Sequence, residues 1–369
     1  MKAAYWISLL FLFSLAHTEI QSAPSLLTDI DLKSYGWQVW GDGPSAEPLL
    51  PRSVDFAADG SLWVGYPSEP TKGLIERSTT RPHHLHLLHL SPEGSILASC
   101  SLDIPSWYSV MLSTNALDGV TIASIGDNDG ALDTLFTVLA PNCKVKSEWS
   151  PPKAIKISRL WSTPDHSKLY IELRNHEISM MSSEDLSIGR SMHIAETSRI
   201  IGFGNEMAAL SQQAPSGRCW MDTVSRVSIV HGETTAWTSA LCSEFSLLDD
   251  THLLIMNRPW EKRRTLQLLD STGSRIGGYI FPKETEVSLV MPAGPQSAPR
   301  VVVEVQGSKS HAHIDVIDLL GQCRLLNVPM ALGSPINSFA LRQDGMRLAL
   351  LYEDHLKIYG LPKQTEVSH

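Results

Sequence analysis

The chain has 369 residues, more than one compact core usually organises, so two domains or one large repeat is expected. Its composition, 43% hydrophobic and 19% charged with 24 Gly and 22 Pro, excludes a disordered tail, a collagenous chain or a coiled-coil rod, and favours many short strands joined by turns. A formal charge of −9 excludes general nucleic-acid affinity, which needs a strongly basic face.

Residues 1–16 read as a signal peptide. Met1-Lys2 is a minimal positive start, Ala3 to Leu15 is apolar, and Ser14-Leu15-Ala16 places small residues before a cleavage point at His17. A second cleavage point after Ala23 is disfavoured by Pro24. The apolar stretch is shorter than the roughly 20 residues of a membrane span, and no later stretch qualifies. The expectation is a secreted or periplasmic monomer with residues 17–369 forming one domain. Gly36-Trp37-Gln38-Val39-Trp40 is the first strand-like segment.

A repeat then runs along the chain: an apolar strand, a turn carrying Asp or Gly, and a second strand beginning Leu-x-hydrophobic. Its copies are Val54–Val64 around Asp59-Gly60, Leu160–Ile171 around Pro164-Asp165, Phe245–Ile255 around Asp249-Asp250, and Phe339–Leu350 around Asp344-Gly345. Asp-Gly supplies the positive φ angles that a tight hairpin needs. A second hairpin follows: His86–Leu90 with Ser95–Leu102, Leu266–Leu269 with Ser274–Ile280, and Ile314–Ile317 with Gln322–Val328. Four antiparallel strands per unit make one blade of a β-propeller. Innermost strands are expected near Ser53, Trp107, Ile157, Ser198, Glu244, Glu286 and Ile336, which gives an all-β, seven-bladed β-propeller, with six or eight blades as alternatives. Only three strands follow Ile336, the third being Leu356–Tyr359, so an N-terminal strand is expected to complete the last blade; Gly36–Trp40 is the candidate.

The Asp59-Gly60 hairpin leading into Leu62-Trp63-Val64, with the Leu268-Leu269-Asp270-x-x-Gly273 turn, resembles the WD40-like and TolB-like β-propeller superfamily across essentially the whole mature chain. The Trp-Asp ending of WD40 repeats and a full Ser-Pro-Asp-Gly turn are absent. The resemblance therefore implies the fold and little about activity, because propellers host hydrolases, lyases, receptors and scaffolds alike.

Of the five cysteines, an odd count in an oxidising compartment leaves at least one unpaired within the chain. Cys219 and Cys242 fall in one repeat unit and are the expected pair; Cys100, Cys143 and Cys323 are read as small buried hydrophobes. Trp63, Trp107, Trp161 and Trp237 sit in or beside strands, where packing between blades accounts for them.

Catalytic signatures are few. There is no Gly-x-Ser-x-Gly elbow, no phosphate-binding loop, and His176-Glu177 lacks the second His of a zinc protease helix. Asp127, Asp129 and Asp133 surround a Gly turn as in a Ca²⁺ loop, although Ile125 stands where an oxygen ligand is needed. His84 and His86 share one strand face and His89 points the other way; half-exposed strand histidines are expected. The loops joining second to third strands are net positive in an acidic chain, with Lys72, Arg77, Arg81, Arg174, His176, Arg218, Arg258, Trp260, Lys262, Arg263, Arg264 and Lys309. These residues make a candidate face for a protein or carbohydrate ligand of anionic character. The reading that follows is a non-catalytic exported binding scaffold; the alternative is a secreted hydrolase or lyase with titratable groups converging at the channel mouth, for which Asp127 and His176 are candidates.

Overall fold

The computed structural model describes residues 24–36, 53–67, 83–104, 109–125, 134–151, 157–173, 177–216, 219–257, 263–283, 285–293, 299–306, 312–330, 336–352 and 354–363. They form seven four-stranded antiparallel sheets, a seven-bladed β-propeller. An N-terminal strand β1 (Ser25–Asp31) is set aside for the last blade. Blade one is β2 (Val54–Phe56), β3 (Leu62–Pro67), β4 (His83–Leu90) and β5 (Ile96–Ile104). Blade two is β6 (Ser109–Thr114), β7 (Val120–Ile125), β8 (Thr134–Leu139) and β9 (Val145–Trp149). Blade three is β10 (Ile157–Ser162), β11 (Lys168–Leu173), β12 (Glu177–Ser182) and β13 (Ile188–His193). Blade four is β14 (Ser198–Phe203), β15 (Met207–Ser216), β16 (Cys219–Ser228) and β17 (Thr234–Leu241). Blade five is β18 (Ser243–Leu247), β19 (Leu253–Asn257), β20 (Thr265–Leu269) and β21 (Arg275–Ile280). Blade six is β22 (Glu286–Ala293), β23 (Arg300–Gln306), β24 (Ala312–Asp318) and β25 (Cys323–Pro329). Blade seven is β26 (Ile336–Leu341), β27 (Arg347–Tyr352), β28 (His355–Gly360) and the returning β1. Among the described residues, no helix is long and apolar enough to cross a membrane.

The ring is closed by a strand, as expected, but by a different one. β1 pairs with β28 from Ser25 opposite Gly360 to Asp31 opposite His355. Gly36, expected to open a strand, instead caps a 3-10 turn at Leu32–Tyr35 with φ of 88°. Trp37 to Trp40 lie outside the described residues. The difference has a simple cause: β1 is an outer edge with most side chains exposed, so it contributes main-chain pairing and carries almost no apolar alternation.

The apolar core is not central but distributed between blades. Each of the seven buried clusters is shared by two adjacent blades, from Trp63, Leu85 and Leu87 of blade one against Val110, Leu112 and Ile122 of blade two, round to Leu351, Leu356 and Ile358 of blade seven against Val54, Leu62 and Val64 of blade one. This explains why most second strands are apolar on both faces: Leu253 and Ile255 of β19 face blade four, while Leu254 and Met256 face blade six. The tryptophans act as read from the sequence. Trp63 Nε1 donates to Asp118 O of the next blade at 3.1 Å, Trp237 Nε1 donates to Asp270 O at 2.7 Å, and Trp161 meets Phe203 edge-on at 5.3 Å. Trp107 lies outside the described residues.

His89 departs from the half-exposed expectation that His84 and His86 meet. It is 3% exposed, stacks on Trp63 at 4.4 Å, and hydrogen-bonds Pro141 O and Ser61 Oγ. Its ring, opposite Trp63 in the β3–β4 ladder, fills the seam between blades one and two. Glycine permits an equally close approach elsewhere: a Cβ on Gly277 would stand 2.5 Å from Leu319 O, where the outer strand of blade five touches blade six.

The reading of the other three cysteines requires a correction. Cys100 and Cys143 form a disulfide joining blade one to blade two, and Cys323 is free and exposed, so none of the three is a plain buried hydrophobe. Cys242 is also disulfide-bonded. The side chain of Cys219, its expected partner, lies outside the described ones; the Cys242 N–H donates to Trp220 O at 3.0 Å, one residue from Cys219.

Aspartates in the first-hairpin turns give the fold an acid limit. Asp249 accepts from Thr251 N, Thr251 Oγ1 and His252 N; Asp165 accepts from Thr163 Oγ1, Ser167 N and Ser167 Oγ; Asp344 accepts from Arg342 and Met346 N. Burial works to raise these three carboxyls, yet the hydrogen bonds hold each below its ordinary value. A depressed folded-state pKa stabilises fully above the unfolded value of about 3.9 and is lost as pH falls through the folded value. The melting temperature should therefore decline below about pH 4, and Asp249→Asn should lower it at pH 7 while flattening that decline. An acid limb as steep in the variant as in the parent would contradict this.

Candidate functional site

The inner ends of three blades converge. Asp55 is the middle residue of innermost strand β2, Thr114 ends innermost strand β6, and His166 lies in the β10–β11 turn at a positive φ of 57°. The Asp55 carboxylate accepts from Thr114 N at 2.8 Å and faces Thr114 Oγ1 at 3.1 Å. Thr114 Oγ1 also reaches Phe56 O at 2.8 Å and His166 Nδ1 at 3.2 Å, and His166 Nδ1 stands 3.7 Å from Asp55. A carboxylate, a hydroxyl and an imidazole are thus held together, but the hydroxyl is fully buried and its single proton has two acceptors within the fold. The His166 turn is pinned in addition, with Ser183 Oγ donating to His166 O at 2.5 Å and Thr121 Oγ1 donating to Ser183 O. The arrangement fastens blades one, two and three at the turn end of the innermost strands. That is the end opposite the second-to-third loops.

The same device continues round the ring. Asp59 N donates to Asp118, Asp165 N donates to Asn205 Oδ1, and Glu206 N and Met207 N both donate to Asp250 Oδ1. Arg226 carries blade four to blade five, donating to Asp250 O and Ser271 O while its guanidinium lies 5.0 Å above Trp237. Arg300, 1% exposed, performs the same task between blades six and seven through Gly345 O and Pro362 O.

A second charged cluster closes the ring. Asp31, Asp354 and His355 bring one ligand-type atom each within 4.8 Å of one another. The cation serving that cluster is Lys33, which pairs with buried Asp354, while His355 Nδ1 lies 2.7 Å from Asp29 and Lys357 faces the same carboxylate at 3.8 Å. Burial works to raise the Asp354 carboxyl, and the Lys33 ammonium with His355 holds it below its ordinary value. All these residues join β1 and its following turn to β28 or the residue before it, which identifies the cluster as the clasp of the last blade.

On the second-to-third loop face, the described candidates are Arg263 and Arg264, just before β20. Arg263 is exposed, and its side chain has no hydrogen-bond partner among the described residues. Arg264 is committed inward: its guanidinium donates to Val287 O of blade six at 2.8 Å and its carbonyl accepts from Phe281 N. The two adjacent arginines therefore do different work, which their sequence does not distinguish. Lys72, Arg77, Arg81, Arg174, His176, Arg218, Arg258, Trp260, Lys262 and Lys309 lie outside the described residues, as do the Ca²⁺ candidates Asp127, Asp129 and Asp133. Compared with known proteins, the chain matches no protein-family model and no curated protein.

Proposed function

We propose that this protein is an exported, non-catalytic binding scaffold that holds a protein or carbohydrate ligand of anionic character on the face formed by its second-to-third loops. The observation that carries the reading is the division of labour between Arg264 and Arg263: the first is spent on blade six, the second points its charge at solvent from a rigid strand start. The seven-bladed ring supports it, since a closed ring of packed sheets presents its loops from a fixed frame. The Cys100–Cys143 disulfide supports export, because such bonds persist in oxidising compartments.

The test is retention of the mature protein on immobilised heparin. Arg263→Glu should elute at clearly lower salt than the parent with an unchanged melting temperature, as loss of an exposed, unpaired cation requires. Arg264 is left intact, because its replacement would break a contact between blades. Retention of the Arg263→Glu protein at the parent's salt concentration would refute the reading.

A further inference from the structure

The seam between blades four and five holds a cleft. Blade four offers it small side chains, Ala209 and Ala240 beside Val224 and Trp237, and a cleft of about 440 Å³ opens between the outer strand of blade four and the face of blade five. That volume falls in the range of small-ligand sites. Its floor is apolar at Ile255 and Leu269, and its walls carry hydroxyls, two carboxamides and a guanidinium.

We propose that this cleft is a saccharide site that takes a short oligosaccharide carrying a uronate carboxylate. Ser239 Oγ and Ser243 Oγ donate to Thr223 Oγ1 and Leu241 O, while the carboxamides and the guanidinium keep capacity in hand. Gln267 makes no side-chain hydrogen bond, and Asn257 uses only Oδ1, accepting from Thr265 N at 2.7 Å, which leaves its NH₂ free. Arg275 commits Nε to Gly277 O of its own strand and leaves both terminal nitrogens unpaired. Sugar hydroxyls donate and accept at once, so a pair of carboxamides above an apolar floor suits a sugar ring. A guanidinium with two free nitrogens suits a carboxylate taken in parallel bonds.

A second observation comes from β16, which runs beside the cleft strand β17. Asp222 stands opposite Ala240, a cleft residue, and shares its strand face with Val224, whose side chain lies in the seam core. It is 3% exposed, so a carboxylate lies just beneath the strand face that borders the cleft. Trp220, 51% exposed, lies two residues earlier on the same strand face, offering an indole surface to a sugar's C–H groups.

The proposal rests on the binding-scaffold reading but uses a different surface, so the two can fail separately. Labelled mature protein would be applied to an array of trisaccharides containing uronate, amino or neutral hexoses, beside Gln267→Leu, Arg275→Gln and Arg263→Glu, with melting temperatures confirming folding. The expected result is a uronate-trisaccharide signal kept by Arg263→Glu and reduced at least tenfold in the two cleft variants. Absence of signal from the parent on every trisaccharide overturns the proposal. So does signal undiminished in Gln267→Leu. Signal equally strong on neutral sugars and indifferent to Arg275→Gln overturns the uronate assignment. A heparin result for Arg263→Glu that fails while the cleft variants lose the array signal would refute the loop-face reading alone.

Discussion

A chain lacking Ser25–Asp31 is expected not to accumulate as folded protein. β1 supplies the fourth strand of blade seven, and its loss leaves the whole of β28, His355 to Gly360, as an unpaired edge. The loss is more than an edge effect. Ile30 packs against the blade seven–blade one core, and Thr28 Oγ1 donates to Glu93 O of blade one. Removing the strand also separates Asp29 from His355 and Lys357. Several main-chain hydrogen bonds at about 1 kcal/mol each, with uncovered apolar area added, approach the roughly 5–15 kcal/mol by which a native protein is stable. Size-exclusion chromatography with light scattering and a circular-dichroism melt would show aggregate or no cooperative transition. A monomer melting within a few degrees of the parent would remove β1 from its closing role.

The contrast between what the residues announced and what they concealed follows from where each segment makes its contacts. The seven innermost strands begin within two residues of the places read from the repeat, because turn residues such as Asp59-Gly60 and Asp344-Gly345 impose local geometry whatever surrounds them. The second hairpins at Leu266, Ile314 and His86 were legible for the same reason. β1 was not, since an outer strand buries no regular face and Leu26 and Leu27 remain about half exposed. The Asp55–Thr114–His166 group is one residue from each of three successive blades, 59 and 52 positions apart, and no single repeat announces it. Trp220 and Gln267 were missed as site residues because a strand residue's function depends on how tightly the adjacent blade packs, which periodicity does not encode. Arg263 and Arg264 read as one basic run, yet only the backbone path of blade six decides which of them is free.

Replacing both Cys100 and Cys143 by Ala is expected to cost about 4 kcal/mol, estimated from the 43-residue separation that the bond spans. The repeat favours pairing inside one unit, but this bond joins two units for a geometric reason. Cys100 lies in outer strand β5 of blade one and Cys143 in the β8–β9 turn of blade two, so the two meet across a seam that the chain reaches only after passing through three more strands. Both sulfurs pack against the buried cluster of Trp63, Leu85 and Leu112, where the bond ties the outer parts of blades whose inner parts are already tied by Asp55 and Thr114. A blade held at both its inner and outer margins cannot swing from its neighbour, so the bond should resist local opening as well as global unfolding. For a chain of this size the expected fall in melting temperature is about 5 °C, and reductant should lower the parent's transition by more than the double variant's, which keeps only the Cys242 bond. Hydrogen exchange offers the finer measurement: amides of β5 and β9 should lose protection in the variant while those of blade six keep theirs. Uniform loss of protection round the ring would mean that the bond acts only through the unfolded chain, and that the seam it crosses is already rigid without it.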